Sequence, residues 1–175
     1  MIGPRIALVS GIPGSGKSHF ARWLASHGWA HLDIDHSGQR PEVASLEAAF
    51  GTMLGQRSFE AFSAAAAADG RSVVIDWGFP VTWLSTVSEL KSNGVSIWWF
   101  DGDRPAARAA WIRRNAGEPT PQPVSNLDRQ MAAVEASWCA ITQVFAGRIL
   151  RNIGPEVYLP ERETFRVMFG ASEQS

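Results

Sequence analysis

The segment Gly11-Ile12-Pro13-Gly14-Ser15-Gly16-Lys17-Ser18 gathers glycines, one ammonium and one hydroxyl into eight residues. Backbone without side chains can turn its N–H groups inward around phosphate oxygens, where a Cβ would obstruct the approach. Lys17 is one of only two lysines in a chain whose other basic residues are all arginines. It supplies a compact, flexible point charge where a planar guanidinium would fit poorly. In such a loop the lysine reaches between the outer two phosphates and the Ser18 hydroxyl is placed to ligate magnesium. Pro13, Ser15 and His19 belong to the same expected nucleotide-binding set as Gly11, Gly14, Gly16, Lys17 and Ser18. The apolar run Ile6-Ala7-Leu8-Val9 precedes the loop and an amphipathic pattern over about Lys17 to Ser26 follows it. That strand and helix context separates a phosphate-binding loop from a mere glycine-rich turn, and the helix adds the positive end of its dipole. A nucleoside triphosphate or similar polyphosphate is implied, and the acceptor is not named.

Acidic residues end two further apolar runs. Asp33-Ile34-Asp35 closes the second, and strand alternation would point both carboxylates to one side and Ile34 to the other. One of the two could hold magnesium, directly or through water, while the other accepts a proton from an attacking hydroxyl. Val73-Val74-Ile75-Asp76 closes the third, which makes Asp76 another metal-associated or acceptor-side carboxylate. Trp77 follows it, so the Asp-Glu pair of water-activating motor ATPases is absent and the balance moves away from a pure hydrolase. Trp77, with Gly78-Phe79 behind it, is expected to line an acceptor pocket, and Arg40 and Arg57 fall where an acceptor-binding helix should sit. No Asn-Lys-x-Asp sequence reads guanine, and Asp35-His36-Ser37-Gly38 matches a GTPase spacing by accident.

Arginines cluster later in the chain. Arg108 is assigned to the nucleotide, and Arg113 or Arg114 to the transferred phosphoryl group, whose equatorial oxygens gain charge during transfer. Arg108 and Arg113 point about 140° apart on an ideal helix, so they cannot both grip one phosphate unaided. Glu118-Pro119-Thr120-Pro121-Gln122-Pro123 forbids regular structure, and a lid is expected around residues 108–124.

Positioning these groups requires a frame of alternating strands and helices. Strands are read at Arg5 to Ser10, Ala30 to Ile34, Ser72 to Ile75, Val95 to Phe100 and Arg148 to Ile153. Helices are expected to His27, over Glu42 to Phe50, Gln56 to Ala68, Pro80 to Asn93, Arg104 to Ala116, Asn126 to Phe145 and Glu161 to Phe169. Gly70, Gly94 and Gly117 stand where helix C-caps want glycine. Trp98 and Trp99 are consecutive in a strand and therefore face opposite layers, as in a parallel sheet covered on both sides. The tail Gly170 to Ser175 is expected to fray.

At 175 residues the chain fits one domain. A net charge of −1 with 19% charged residues provides no overall basic field for nucleic acid. No apolar run approaches ~18 residues, and the start Met-Ile-Gly-Pro-Arg lacks the regions of a signal peptide, so a soluble cytoplasmic protein is expected, with no membrane partner. The single cysteine, Cys139, excludes an internal disulfide and is read as a small core residue. His19, His27 and His31 show no metal-ligand spacing, and His36 sits beside Asp35.

Over about Arg5 to Asn115 the pattern resembles the small phosphate-loop kinases of the nucleoside-monophosphate-kinase type. It is most similar to the branch holding chloramphenicol phosphotransferase, the kinase domain of polynucleotide kinase, zeta toxins and shikimate kinase. The resemblance rests on residues Gly11 to Ser18, Leu32-Asp33-Ile34-Asp35, Val73-Val74-Ile75-Asp76 and the arginines before the proline loop. It implies a three-layer α/β/α P-loop NTPase fold with a five-stranded parallel sheet in the order 2-3-1-4-5. It also implies that the aspartate ending strand two, here Asp35, is the base on the acceptor hydroxyl. The expected activity is transfer of the γ-phosphate of ATP, with Mg2+, to a hydroxyl of a small molecule. Ser18 with Asp33 or Asp76 would hold the metal, and Asp35, Arg40, Arg57 and Trp77 would face the acceptor. A polynucleotide 5′-hydroxyl kinase and a nucleotide-gated binding module without transfer are the alternatives.

Overall fold

Five short, largely apolar runs pair side by side in parallel in the computed structural model, which describes residues 4–36, 38, 40–155 and 157–170. They are β1 (Ile6–Gly11), β2 (Ala30–Asp33), β3 (Val73–Asp76), β4 (Ser96–Gly102) and β5 (Ile149–Ile153), in the sheet order β2-β3-β1-β4-β5. The order is the one the resemblance implies. From β1 the chain crosses over β3 to reach β2, and after β3 it crosses back over β1 to β4. The carboxyl end of β1 thus opens where the crossover direction reverses, the place at which open α/β sheets bind ligands.

Helices α1 (Lys17–Ser26), α2 (Ala44–Gln56), α3 (Phe59–Asp69), α4 (Leu84–Ser92), α5 (Arg104–Asn115), α6 (Val124–Ala136), α7 (Trp138–Val144) and α8 (Glu161–Phe169) cover the sheet. The strand period of two sorts the core into two layers. Leu8, Leu32, Ile75, Ile97 and Trp99 meet Phe50, Phe62, Leu90, Ile141 and Phe145 on one face. Val9, Val74, Trp98 and Phe100 meet Phe20 and Leu24 of α1 and Phe165 and Met168 of α8 on the other. The adjacent tryptophans do separate to opposite layers.

Several expected boundaries moved for local reasons. α2 runs through Gly51 and Gly55 to Gln56, because burial of Leu46, Phe50 and Met53 along one stripe outweighs the cost of two helical glycines. It ends at Arg57, whose φ of 55° makes it the one positive-φ residue other than glycine among the described residues. The expected helix over Pro80 to Asn93 begins as a 3-10 turn at Val81–Trp83 before α4. The single long helix expected over Asn126 to Phe145 is two, broken at Ser137 (φ −104°, ψ 9°). The break brings Trp138 under the Arg104 guanidinium, 5.4 Å from the ring centroid, while Ile141 and Phe145 stay buried. Cys139 is exposed rather than a core residue, since α7 turns Ile141 inward instead. From residue 171 onward the expected frayed tail lies outside the described residues, as do Met1 to Gly3 and Ser37. No helix among the described residues is long and apolar enough to cross a membrane.

Candidate active site

The loop between β1 and α1 is shaped by backbone that only glycine can supply. Gly11, Gly14 and Gly16 have φ of 147°, 81° and 90°. A Cβ on Gly11 would collide with the carbonyl of Phe100, and one on Gly14 with the carbonyl of Ala107 in α5. Ser15 N–H donates to the Ile12 carbonyl at 3.2 Å and closes the turn. Gly16 caps α1 without any side-chain hydrogen bond, so the first-turn amides of the helix have no side-chain acceptor there. Such an uncapped, glycine-shaped helix start fits an anion. Gly14→Ala is expected to cost about 1–3 kcal/mol through the clash with Ala107 backbone and to abolish nucleotide binding. Thermal melts with and without nucleotide check both effects.

The far side of the loop is held from the end of the chain. Asn152 of β5, buried on the same strand as Leu150, donates from Nδ2 to the Ser15 carbonyl at 2.7 Å and accepts from Thr164 Oγ1 at 3.1 Å. Tyr158 donates its hydroxyl to the Gly14 carbonyl at 2.7 Å. Burial pushes the Tyr158 phenol up, against the pull of Arg113 and Arg114, and so favours the protonated donor. A cavity of about 350 Å³ lies here, bounded by Gly16, Lys17, Ser18, Arg114, Tyr158 and Pro160. A larger one, about 490 Å³, sits at the amino ends of β1 and β4 near Arg5, Asn93 and Phe169, away from every group named above. The cavity beside the loop is therefore the one relevant to phosphate chemistry.

On the other flank, sheet register brings the acids together. Asp33 pairs directly with Asp76, and His31 with Val74, so His31, Asp33 and Asp76 share the face covered by α1. One ligand-type atom from each lies within 4.8 Å of the others. Asp76 is 2% exposed, and neither of its carboxylate oxygens has a hydrogen-bond partner among the described residues. Burial pushes this carboxyl up, but His31, the Lys17 ammonium and the Ser18 hydroxyl together outweigh it and hold the group below its ordinary value. Such a buried, unpartnered carboxylate beside a serine hydroxyl suits a hard divalent cation.

Asp35 is not where strand alternation would put it. The ladder ends at the Asp33–Asp76 pair, because Trp77 N–H turns to the Val9 carbonyl of β1, and Ile34–His36 coils into a 3-10 turn. His36 Nδ1 lies 3.1 Å from Asp33 Oδ1 across that turn, so His36 attends Asp33 rather than Asp35. The turn delivers Asp35 to the loop all the same. Its Oδ2 accepts from Gly78 N–H at 3.3 Å. Gly78 is the wedge between the two reactive groups: a Cβ there would sit 2.9 Å from Asp35 Oδ2 and 3.7 Å from Lys17 Cε. Desolvation raises the Asp35 pKa, Lys17 and the Gly78 amide pull it down, Asp76 and Asp33 push it up, and the net direction is upward.

The remaining expected residues are dispersed. Trp77 is 5% exposed and packs edge-on against Phe50 and Trp83, so it belongs to the aromatic core behind the site and lines neither of the two cavities above. Arg57 donates to Thr86 Oγ1 at 2.7 Å and pairs with Glu89. Arg40 donates to His31 Nδ1 at 2.6 Å. His19 borders the cavity beside the loop, 2.6 Å from Glu161 of α8. Arg108 is paired with Asp128 of α6 at 3.0 Å, whereas Arg114 borders the cavity and Arg113 acts on Tyr158. Arg108→Ala is expected to leave nucleotide affinity unchanged while Arg114→Ala weakens it several-fold, as titration calorimetry would read. The proline loop is tied at its base by Asn115 Nδ2 to the Gln122 carbonyl and Gln122 N–H to Asn115 Oδ1, both 2.9 Å.

No protein-family profile and no curated protein sequence matches the chain. Solved structures do. A gluconokinase from Sinorhizobium meliloti 1021 is 18% identical, with 97% of this chain and 93% of that chain covered and a TM-score of 0.52. A shikimate kinase from Acinetobacter baumannii is 13% identical over 97% and 96% of the two chains, with a TM-score of 0.53. A sugar kinase from Janibacter sp. HTCC2649 is 19% identical over 95% and 96%, with a TM-score of 0.52. The fold is that of the small P-loop kinases.

Within this fold, Asn152, Tyr158 and Thr164 brace the loop and His31 stands behind the acids, and sequence reasoning singled out none of the four. Asn152 left a faint signal, a polar residue two positions after Leu150 and so on the strand face opposite the exposed Arg151. Tyr158 left none, because its partner is a main-chain carbonyl 144 residues away.

Proposed function

We propose that this protein is an ATP-dependent phosphotransferase that moves the γ-phosphate of ATP to a hydroxyl of a small molecule. The observation that carries the reading is the Asp35 carboxylate held beside Lys17 across Gly78, at the mouth of an uncapped phosphate-type loop. The polyphosphate lies along Gly11 to Ser18, with Lys17 on the outer phosphates. Asp35 accepts the proton of the acceptor hydroxyl as its oxygen bonds to the γ-phosphorus and the bond to the bridging oxygen breaks, releasing ADP. A raised carboxyl pKa is what a general base needs. Arg114 steadies the charge that develops on the transferred group, with Arg113 beside it in the 108–124 lid. Magnesium, when bound, is held through Ser18 with Asp76 or Asp33 and neutralises phosphate charge. The chain works as one domain in the cytoplasm, and its net charge of −1 favours a small acceptor over a polynucleotide.

The test is acceptor-dependent ADP release across a library of hydroxyl metabolites, run beside a 5′-hydroxyl oligonucleotide and a blank without acceptor. ADP release with one small-molecule class supports the reading. Release with the oligonucleotide alone makes the protein a polynucleotide kinase. Tight ATP binding with no transfer to any acceptor makes it a binding module.

A further inference from the structure

His31 has no place in the chemistry above, yet it is 2% exposed and lies between two charged groups. Arg40 donates from Nη1 to its Nδ1 at 2.6 Å, and its Nε2 faces Asp76 Oδ2 at 3.7 Å. Arginine carries only donors, so Nδ1 must be the accepting nitrogen and the proton of the neutral ring must be on Nε2. That proton is next to a carboxylate whose two oxygens have no hydrogen-bond partner among the described residues, and Nε2 has none there either. The separation is roughly 0.8 Å beyond a hydrogen bond, a gap a small side-chain rotation closes. The same fact argues against His31 as a metal ligand, although it stands with Asp33 and Asp76 at ligand-like spacing: a nitrogen that carries a proton has no lone pair to offer.

We propose that Arg40 and His31 form a buried positioning relay, in which the guanidinium fixes the imidazole tautomer and the Nε2–H fixes one oxygen of Asp76. The other oxygen is thereby left toward Ser18 and the cation. The relay converts Arg40 from an acceptor-pocket residue into a partner of the metal side, and its effect on nucleotide binding rests on the function proposed above.

Two measurements test it. Long-range proton–nitrogen NMR on the protein labelled with 15N-histidine should show His31 as the Nε2–H tautomer, unchanged when Mg2+ or Zn2+ alone is added. Arg40→Ala should convert it to a mixture and Arg40→Lys should restore it. An Nδ1–H tautomer, or loss of the Nε2 proton on addition of Zn2+, overturns the relay. In calorimetry, His31→Leu should lose most of the gain in ATP affinity that Mg2+ provides, leave affinity for metal-free ATP within about twofold, and be rescued by His31→Gln, which retains a donor. Equal loss with and without Mg2+ would mark His31 as a structural residue only and also overturn it. If the wild type binds no ATP at all, the function fails, and the tautomer measurement alone decides the relay.

Discussion

Lys17→Ala is expected to lower ATP affinity and turnover together, with kcat/KM falling by about 10²–10³. The ammonium is the one lysine near the loop, and its charge pulls down the carboxyl pKa of both Asp35 and Asp76. Its removal takes away the positive charge that a polyphosphate would meet, and it leaves Asp35 and Asp76 without the cation that offsets their burial. The fold should survive, because Lys17 is the first residue of α1 and alanine is the better helix former. A variant that still folds, melts somewhat lower than the wild type at neutral pH because Asp76 loses a compensating charge, and no longer gains stability from ATP is the expected result in a thermal-shift assay. Unchanged ATP affinity and turnover would sink the phosphate-loop assignment.

Asp35→Asn should separate binding from transfer. Nucleotide affinity should persist, while kcat falls by about 10²–10⁴, the usual loss when a general base is removed. Stability should move the other way. The folded carboxyl pKa is raised above its ordinary 3.8, so the native state holds this proton more tightly than the unfolded chain does. The stability this gives is present at acid pH and is lost as pH rises through the window above 3.8. At neutral pH the ionised Asp35 is therefore a net cost, and the amide should melt no lower than the wild type and somewhat higher. For the wild type, the acid limb of the kcat profile should lie above the range of an ordinary aspartate, for the same reason. A variant as active as the parent would remove Asp35 as the base.

The contrast between Asp35 and Trp77 shows what the sequence could carry. Glycines at Gly11, Gly14 and Gly16 and the apolar runs of β1 and β3 declare themselves by local rules, and the sheet they imply is present. Asp35 was identifiable as an acid after an apolar run, although the route was different: the ladder stops one residue earlier and a 3-10 turn carries the carboxylate round. Trp77 also stands beside an acid, yet the face it takes is decided by Phe50, Phe79 and Trp83, which are distant in sequence or on a loop. Arginines were the least readable. A long cation finds whichever carboxylate or acceptor lies in reach, and Glu89, Asp128 and His31 came within reach only through tertiary packing. The break at Ser137 likewise has no glycine or proline to announce it, and follows from the site that Arg104 offers Trp138.

The clasp of Asn152 and Tyr158 on the loop has a consequence for synthesis. Residues 11 to 18 leave the ribosome first, and the groups that hold the carbonyls of Gly14 and Ser15 come 144 and 137 residues later. Contacts of such separation form late, because the intervening chain must first be closed into a loop. A nascent chain stalled before Ile149 would carry the whole phosphate-loop sequence and still lack its far wall. The far wall of the loop would then arrive only when β5 docks beside β4, well after the loop residues themselves have been made.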